Sequence, residues 1–241
     1  MPLWPDLRVR ATAPELMDDL ALGGEELTGA LRELRLINRL LGASRPTVEG
    51  VARLWRAAGR PLRLSLLDVG AGSGDASRAL LHWARRHGVQ LDITLLDLNP
   101  QTCAEAARCF AGEPRVQVRQ GDMFELAADS ADIITATLVL HHIPEARLGA
   151  ALRALVRAAR LGVVANDLRR SLLAWAGIRA ATAALSRNRM IRHDAPLSVA
   201  RGFRAADLER LRAEPGVGRM WYVRRRWFRW LVVIEGLKAR G

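Results

Sequence analysis

An α/β fold built on an open, parallel sheet is what the sequence predicts, and three observations predict it. Short apolar runs alternate with amphipathic segments of about 10–15 residues, the rhythm of strands joined by right-handed helical crossovers. The first of these runs ends in a glycine-rich turn that opens directly into a helix. The 241 residues, 50% of them apolar, are enough to bury one sizeable core with an appendage.

The elements follow in order. Residues 1–62 read as helical and are expected to form a domain of their own, an N-terminal cap. Pro14 opens a short candidate helix that stops at Gly23-Gly24. From Glu25, apolar Leu27, Ala30, Leu31, Leu34, Ile37, Leu40 and Leu41 recur at helical spacing for about four turns, with Gly42 as C-cap. Ser44-Arg45-Pro46-Thr47 starts another helix, with Val48, Val51, Leu54 and Trp55 on one side and its end near Gly59. After Pro61 the period changes: Leu62, Leu64, Leu66 and Leu67 lead into Asp68-Val69-Gly70 as a buried strand. Residues 75–87 read as a helix closed by Gly88, 91–98 as a second strand, and 100–111 as a helix with Pro100 in its first turn. Residues 115–120 alternate like a strand, 131–137 form a fourth, 144–159 a helix and 161–165 a fifth strand. Residues 63–241 are thus expected to be one core domain, with a substrate-covering insertion near 168–204. Within it, 171–186 is helical and Ala-rich, 188–202 is mixed and polar with no element assigned, and 205–213 is a short helix. Two closing strands, 217–223 and 227–234, are joined by Arg224-Arg225-Arg226.

Composition narrows the class. A mean hydropathy of +0.01 with 26% charged residues excludes global disorder. No run reaches the roughly 18 uncharged apolar residues of a membrane span. The opening MPLWPDLRVR has neither an apolar stretch nor a small-residue cleavage site, so a cytoplasmic location is expected. Cys103 and Cys109 share one predicted helix six residues apart, face different ways and are expected to stay reduced. The net charge is +12, and Lys238 is the only lysine among the cations. The arginines are scattered over many helices, so no nucleic-acid partner is expected. Arg224-Arg225-Arg226-Trp227-Phe228-Arg229-Trp230 could touch a membrane surface, or simply turn its aromatics inward. No internal repeat and no zinc-ligand spacing is present, and no metal is expected.

The turn Asp68-Val69-Gly70-Ala71-Gly72-Ser73-Gly74-Asp75 carries most information. Its glycines permit positive φ and let backbone N–H groups reach a ligand at the carboxyl end of the first strand. The third glycine arrives one residue too early for a dinucleotide fingerprint. Asp75 at the helix start would face a pyrophosphate, which favours a zwitterionic or cationic ligand instead. No Gly-Lys-Ser/Thr follows, so a P-loop is excluded. Asp97 ends the second strand, where it can accept from the two hydroxyls of a ribose; a helix cap is its plainer use, although Asn99 fills that better. Gly121-Asp122-Met123 ends the third strand, where Asp122 could meet an adenine or serve as a turn carboxylate, and Met123 could pack on the base.

On these residues the sequence resembles the class I S-adenosylmethionine-dependent methyltransferases. The glycine turn is similar to their first motif, Asp97 to their ribose-binding acid and Gly121-Asp122 to their adenine-side motif. The stretch from Asp132 to Pro144, with His141-His142, resembles the fourth-strand segment of relatives acting on quinone precursors, and the tail resembles a polyketide-related branch. The resemblance implies a Rossmann-like, doubly wound, seven-stranded sheet with its last strand antiparallel, and an N-terminal helical cap over the cofactor. It implies S-adenosyl-L-methionine as cofactor, with Asp68, Gly70, Ala71, Gly72 and Gly74 around its methionine end. Asp97 and Leu98 would hold the ribose, and Gly121, Asp122, Met123 and Thr137 complete the site.

Methyl transfer is an in-line displacement, so the enzyme has chiefly to hold a nucleophile about 3 Å from the methyl group. A hydroxyl nucleophile must also lose a proton, which a histidine can accept. His142 is the leading candidate base, with His141 and His193 behind it. Asp194 could orient the His193 ring, and Asp167, after the fifth strand, could hold a substrate hydroxyl. The expectation is O-methylation of a small hydrophobic aromatic or polyketide-like acceptor. The rivals are carbon methylation in quinone or polyketide synthesis and a binding module without catalysis. Nucleic-acid base methylation is disfavoured because no Asn-Pro-Pro-Tyr motif follows the fourth strand.

Overall fold

The computed structural model describes residues 5–19 and 24–236. Seven strands form one sheet: β1 (Arg63–Val69), β2 (Gln90–Asp97), β3 (Val116–Gln120), β4 (Ala131–Thr137), β5 (Ala159–Leu168), β6 (Met220–Arg225) and β7 (Arg229–Glu235), in the order β3-β2-β1-β4-β5-β7-β6. The first five are parallel, and β7 enters antiparallel between β5 and β6. This is the expected Rossmann-like, doubly wound sheet. The order reverses at β1, so the carboxyl ends of β1, β2 and β4 open a crevice between them.

Helices cover both faces. On one lie α2 (Arg45–Ala57), α3 (Asp75–His87) and α4 (Pro100–Cys109); on the other lie α5 (Glu145–Ala158) and α8 (Ala205–Arg212). α2 sits directly on the sheet. A Cβ on Gly50 would stand 2.5 Å from Val164, so only glycine allows that approach. The elements over the crevice are a 3-10 turn (Leu16–Asp18), α1 (Gly24–Leu40) and the pair α6 (Leu172–Leu185) and α7 (Arg189–Arg201). Leu27, Ala30 and Leu31 of α1 pack against Met190 and Ile191 of α7. The predicted end of the first helix at Gly23 lies outside the described residues.

Two segments differ from expectation. The polar stretch after residue 188 is helix α7, started by Asn188, whose Oδ1 accepts from the N–H groups of Met190 and Ile191. Pro196 inside that helix removes one backbone bond, which is why its periodicity reads as broken. The closing turn is Arg226-Trp227-Phe228, two residues later than predicted; Trp227 and Phe228 hold φ of 57° and 54°. Nothing in that sequence announces a turn, because bulky residues rarely adopt positive φ. Trp230 is buried and donates to the Phe203 carbonyl at 2.9 Å, while Trp227 is exposed. Among the described residues no helix is long and apolar enough to cross a membrane.

Candidate active site

The glycine turn links β1 to α3, and Gly70, Gly72 and Gly74 hold φ of 60°, 56° and 80°. Their surroundings differ. A Cβ on Gly70 would stand 2.3 Å from Val139 and one on Gly74 would stand 2.4 Å from Phe110, so packing excludes side chains there. A Cβ on Gly72 meets nothing within 4 Å. Gly72 therefore presents bare backbone to open space, as a close-approaching ligand requires.

Asp68 is wholly buried at the base of this turn. Its Oδ2 accepts from the Ser77 hydroxyl and its Oδ1 from the Thr135 hydroxyl, both at 2.7 Å, tying β1 to α3 and β4. Burial pushes its carboxyl up to about 6 despite those donors, and the nearby Asp97 charge adds to the rise. A folded-state value above the unfolded 3.8 makes Asp68 favour folding most at low pH. That contribution is lost as pH rises from 3.8 through about 6, and amounts to roughly 3 kcal/mol. Urea unfolding of the wild type and Asp68→Asn between pH 4 and 7 should show this slope only in the wild type; parallel curves would contradict it.

A cleft of about 670 Å³ lies along the carboxyl edge of the sheet. Asp68, Gly70, Ala71, Gly72, Asp97, Leu98, Gly121, Met123 and Thr137 all line it. Gly74 supports the turn from behind. Asp122 is turned elsewhere and caps a 3-10 turn (Met123–Glu125), its Oδ1 accepting from the Phe124 N–H at 3.0 Å. Asn99 caps α4, so Asp97 does not serve as its cap. Asp97 accepts from the N–H groups of Gly72 and Asn99, each at 3.0 Å. Burial raises its carboxyl above the usual range against the pull of those amides. Asp97→Ala is expected to weaken cofactor binding by about 1–3 kcal/mol in calorimetry, as for lost charge-assisted hydrogen bonds; unchanged affinity would remove Asp97 from the site.

At the far wall of the cleft, the 3-10 turn Leu140–His142 after β4 delivers both predicted histidines side by side, their rings 4.2 Å apart. His141 is buried; its Nδ1 lies 2.7 Å from Asp167 Oδ1, and its backbone N–H donates to Oδ2 of the same carboxylate. Burial acts to raise the Asp167 carboxyl, but the His141 charge and hydrogen bond hold it below the usual range. His142 faces the cleft more openly, its Nδ1 2.5 Å from Asp18. Burial disfavours its cation, yet the bond to Asp18 and the charge of Glu15 raise it above the ordinary imidazole value. Glu15 completes the group, with Oε1 3.8 Å from His141 Nε2 and Oε2 3.9 Å from His142 Nε2. Arg201 braces it, donating to the carbonyls of His141 and His142 and to Asp18.

His193 stands apart. Its side chain is 43% exposed and does not line the cleft; its Nδ1 lies 2.7 Å from Asp194. Asp194 mainly accepts from the N–H groups of Leu16 and Met17, fixing the turn that carries Asp18. Sequence reasoning misses Glu15, Asp18, Arg201 and Arg229. Glu15 and Asp18 follow Pro14 in an unremarkable polar run, and only the fold carries them to histidines more than 120 residues away. Arg229 reads in the sequence as part of a surface arginine cluster. In the structure it is 4% exposed and lines the cleft, and its Nε and Nη1 have no hydrogen-bond partner among the described residues. Burial lowers its guanidinium to about 10, with the Asp167 charge working the other way.

Comparison with known proteins bears on the fold that carries this site. Residues 66–162 match the family model described as a methyltransferase domain. Among solved structures, the chain is similar to a putative S-adenosyl-L-methionine-dependent methyltransferase from Methanococcus maripaludis (16% identity, TM-score 0.60, covering 89% of this chain and 95% of that one). It is also similar to a SAM-dependent methyltransferase from Aquifex aeolicus (14% identity, TM-score 0.60, covering 88% and 98%). A third is the carbon-methyltransferase domain of the citrinin polyketide synthase (19% identity, TM-score 0.53), where the match covers 73% of this chain and 47% of that structure's length. No curated protein matches the sequence.

Proposed function

We propose that the acceptor of this S-adenosylmethionine-dependent methyltransferase, whose residues 66–162 match the methyltransferase-domain model, is a small hydrophobic molecule methylated on a hydroxyl or enol oxygen. The observation that carries this reading is the pairing of each cleft-wall imidazole with its own carboxylate: His141 with Asp167 and His142 with Asp18. Such pairs orient an imidazole and stabilise its cation, which suits removal of a proton from oxygen. Of the two, His142 is the ring the cleft reaches most openly.

The cofactor would lie across the glycine turn, with its ribose at Asp97 and its adenine between Leu98 and Met123. The sulfonium supplies the activated methyl group; the chain's residues hold the acceptor in line and exclude water. Leu31, Leu34, Leu173, Ile178 and Val199 give the acceptor half of the cleft an apolar wall. Arg229 offers unpartnered N–H groups there, so an acceptor bearing an anionic or strongly accepting group fits best.

The test is mass spectrometry and NMR of products after incubating the enzyme and cofactor with phenols, quinols and polyketide-like enols. An O-methylated product from an acceptor with an acidic hydroxyl is the expected result. Methyl transfer to carbon would overturn the choice of atom. Cofactor binding without turnover of any acceptor would overturn the catalytic reading in favour of a binding module.

A further inference from the structure

We propose that Glu15, His141 and His142 form a binding site for a divalent transition-metal cation of the zinc class. Glu15 Oε1 and Oε2 and the Nε2 atoms of the two histidines converge, one ligand atom from each residue lying within 4.8 Å of the others. Tetrahedral zinc with bonds of about 2.0–2.2 Å needs its ligands roughly 3.4 Å apart, so a contraction of at most about 1.4 Å closes the site.

Four observations point to a cation. Both histidines turn Nδ1 toward a carboxylate, at 2.7 Å from Asp167 and 2.5 Å from Asp18. With each ring neutral, that arrangement places the Nδ1 proton on the carboxylate side and leaves Nε2 as a lone-pair donor, the carboxylate–histidine–metal pattern. Two Nε2 lone pairs then face one buried carboxylate. At 3.8 and 3.9 Å they are too distant to hydrogen-bond to it. Glu15 is only 5% exposed, and its Oε1 has no hydrogen-bond partner among the described residues, the Arg201 guanidinium standing 3.8 Å away as an ion pair too long to hydrogen-bond. A buried carboxylate oxygen without a donor is costly, and a metal ion between the three residues satisfies it.

Glu15 Oε2 is anchored by the Ser198 hydroxyl at 2.9 Å, so the carboxylate is held rather than free to swing away. All three ligands line the cleft, so an ion held by them would border the space where the acceptor is proposed to sit. Two histidines, one glutamate and an open position are the ligand set of a catalytic zinc. The cation's use, which rests on the O-methylation reading, is to bind the acceptor oxygen and lower its pKa. Where it is bound, the Nε2 atoms of His141 and His142 are ligands, neither ring takes the proton, and the acidified acceptor loses it to solvent water at the mouth of the cleft. The site itself stands on its geometry alone. Adjacent histidines with a glutamate 126 residues upstream have no recognisable ligand spacing, so the sequence does not announce it.

The test titrates chelator-treated full-length protein with Co²⁺, following the visible absorption of the histidine-bound ion, with zinc content measured by mass spectrometry after zinc reconstitution. Wild type and His82→Ala, whose exposed imidazole lies on α3, should each take up one equivalent. Glu15→Gln should weaken uptake at least about tenfold, and Asp18→Asn by about 10–100-fold. Zinc should also raise the melting temperature of the wild type and not of Glu15→Gln. Absence of saturable uptake, or equal uptake by wild type and Glu15→Gln, would overturn the site. Calorimetric binding of the cofactor to the same samples separates that failure from failure of the methyltransferase reading. Turnover lost on chelation and restored by zinc supports the proposed use; turnover indifferent to chelation overturns that use.

Discussion

Replacing His142 by alanine is expected to lower turnover by about 10²–10⁴-fold, the range for removing a group that handles a proton in the rate-limiting step. The expectation holds whether the ring accepts the proton itself or holds a cation that acidifies the acceptor. His142 sits at the end of β4, on the same crevice as the glycine turn but on its far wall. Its ring hydrogen-bonds to none of the residues proposed to hold the cofactor and reaches Asp97 only through its charge, so calorimetric affinity for S-adenosylmethionine should stay within about threefold. The substitution also strips Asp18 of its closest partner, but Arg201 and the Glu15 N–H still donate to it, so the cost is that of one lost charge-assisted hydrogen bond, about 1.5–3 kcal/mol. Circular dichroism at the assay temperature guards against reading unfolding as lost chemistry. A folded His142→Ala protein with turnover within a factor of ten would remove the imidazole–carboxylate pair from the reaction.

The second large effect is expected at Gly72. Alanine there must hold φ near +56°, which costs about 1–2 kcal/mol, yet its methyl group meets nothing in the protein. The protein should therefore fold and melt slightly early. The same methyl group stands where the methionine end of the cofactor would approach the backbone, so affinity should fall about 100-fold, or roughly 3 kcal/mol. Gly70→Ala makes the opposite contrast. Its Cβ would lie 2.3 Å from Val139, so the damage there falls on folding itself. Comparing melting and cofactor titration for the two variants separates a turn built for a ligand from a turn built only for packing. Full cofactor affinity in Gly72→Ala would favour the second.

Much of the cofactor half is legible because its signals are local. Each apolar run, its glycine or proline punctuation and the carboxylate at its end lie within about ten residues of one another. β4 and α3 fall where hydrophobic periodicity places them. The less accurate parts each have a physical cause. Asp122 sits at the right strand end, but its oxygen serves the backbone of the next turn, a competition sequence spacing cannot resolve. Helix α7 is masked by Pro196. The aromatic turn at Trp227-Phe228 adopts positive φ because the flanking strands, paired from Arg225–Arg229 onward, impose it. The acceptor half is mostly illegible because its chemistry is assembled across distance. Asp18 reaches His142 over 124 residues, and Arg201 reaches Asp18 over 183.

That long-range assembly divides the site by what each half depends on. The turn bearing Glu15 and Asp18 contributes no strand, and its backbone is moored by Asp194 of α7 rather than by the sheet. Its ties to the rest of the site are few, long-range side-chain contacts to α7 and to the turn after β4. The proposed nucleotide site is drawn from the tips of β1, β2, β3 and β4 alone, whereas the proposed chemistry also needs the leading strap docked against α7.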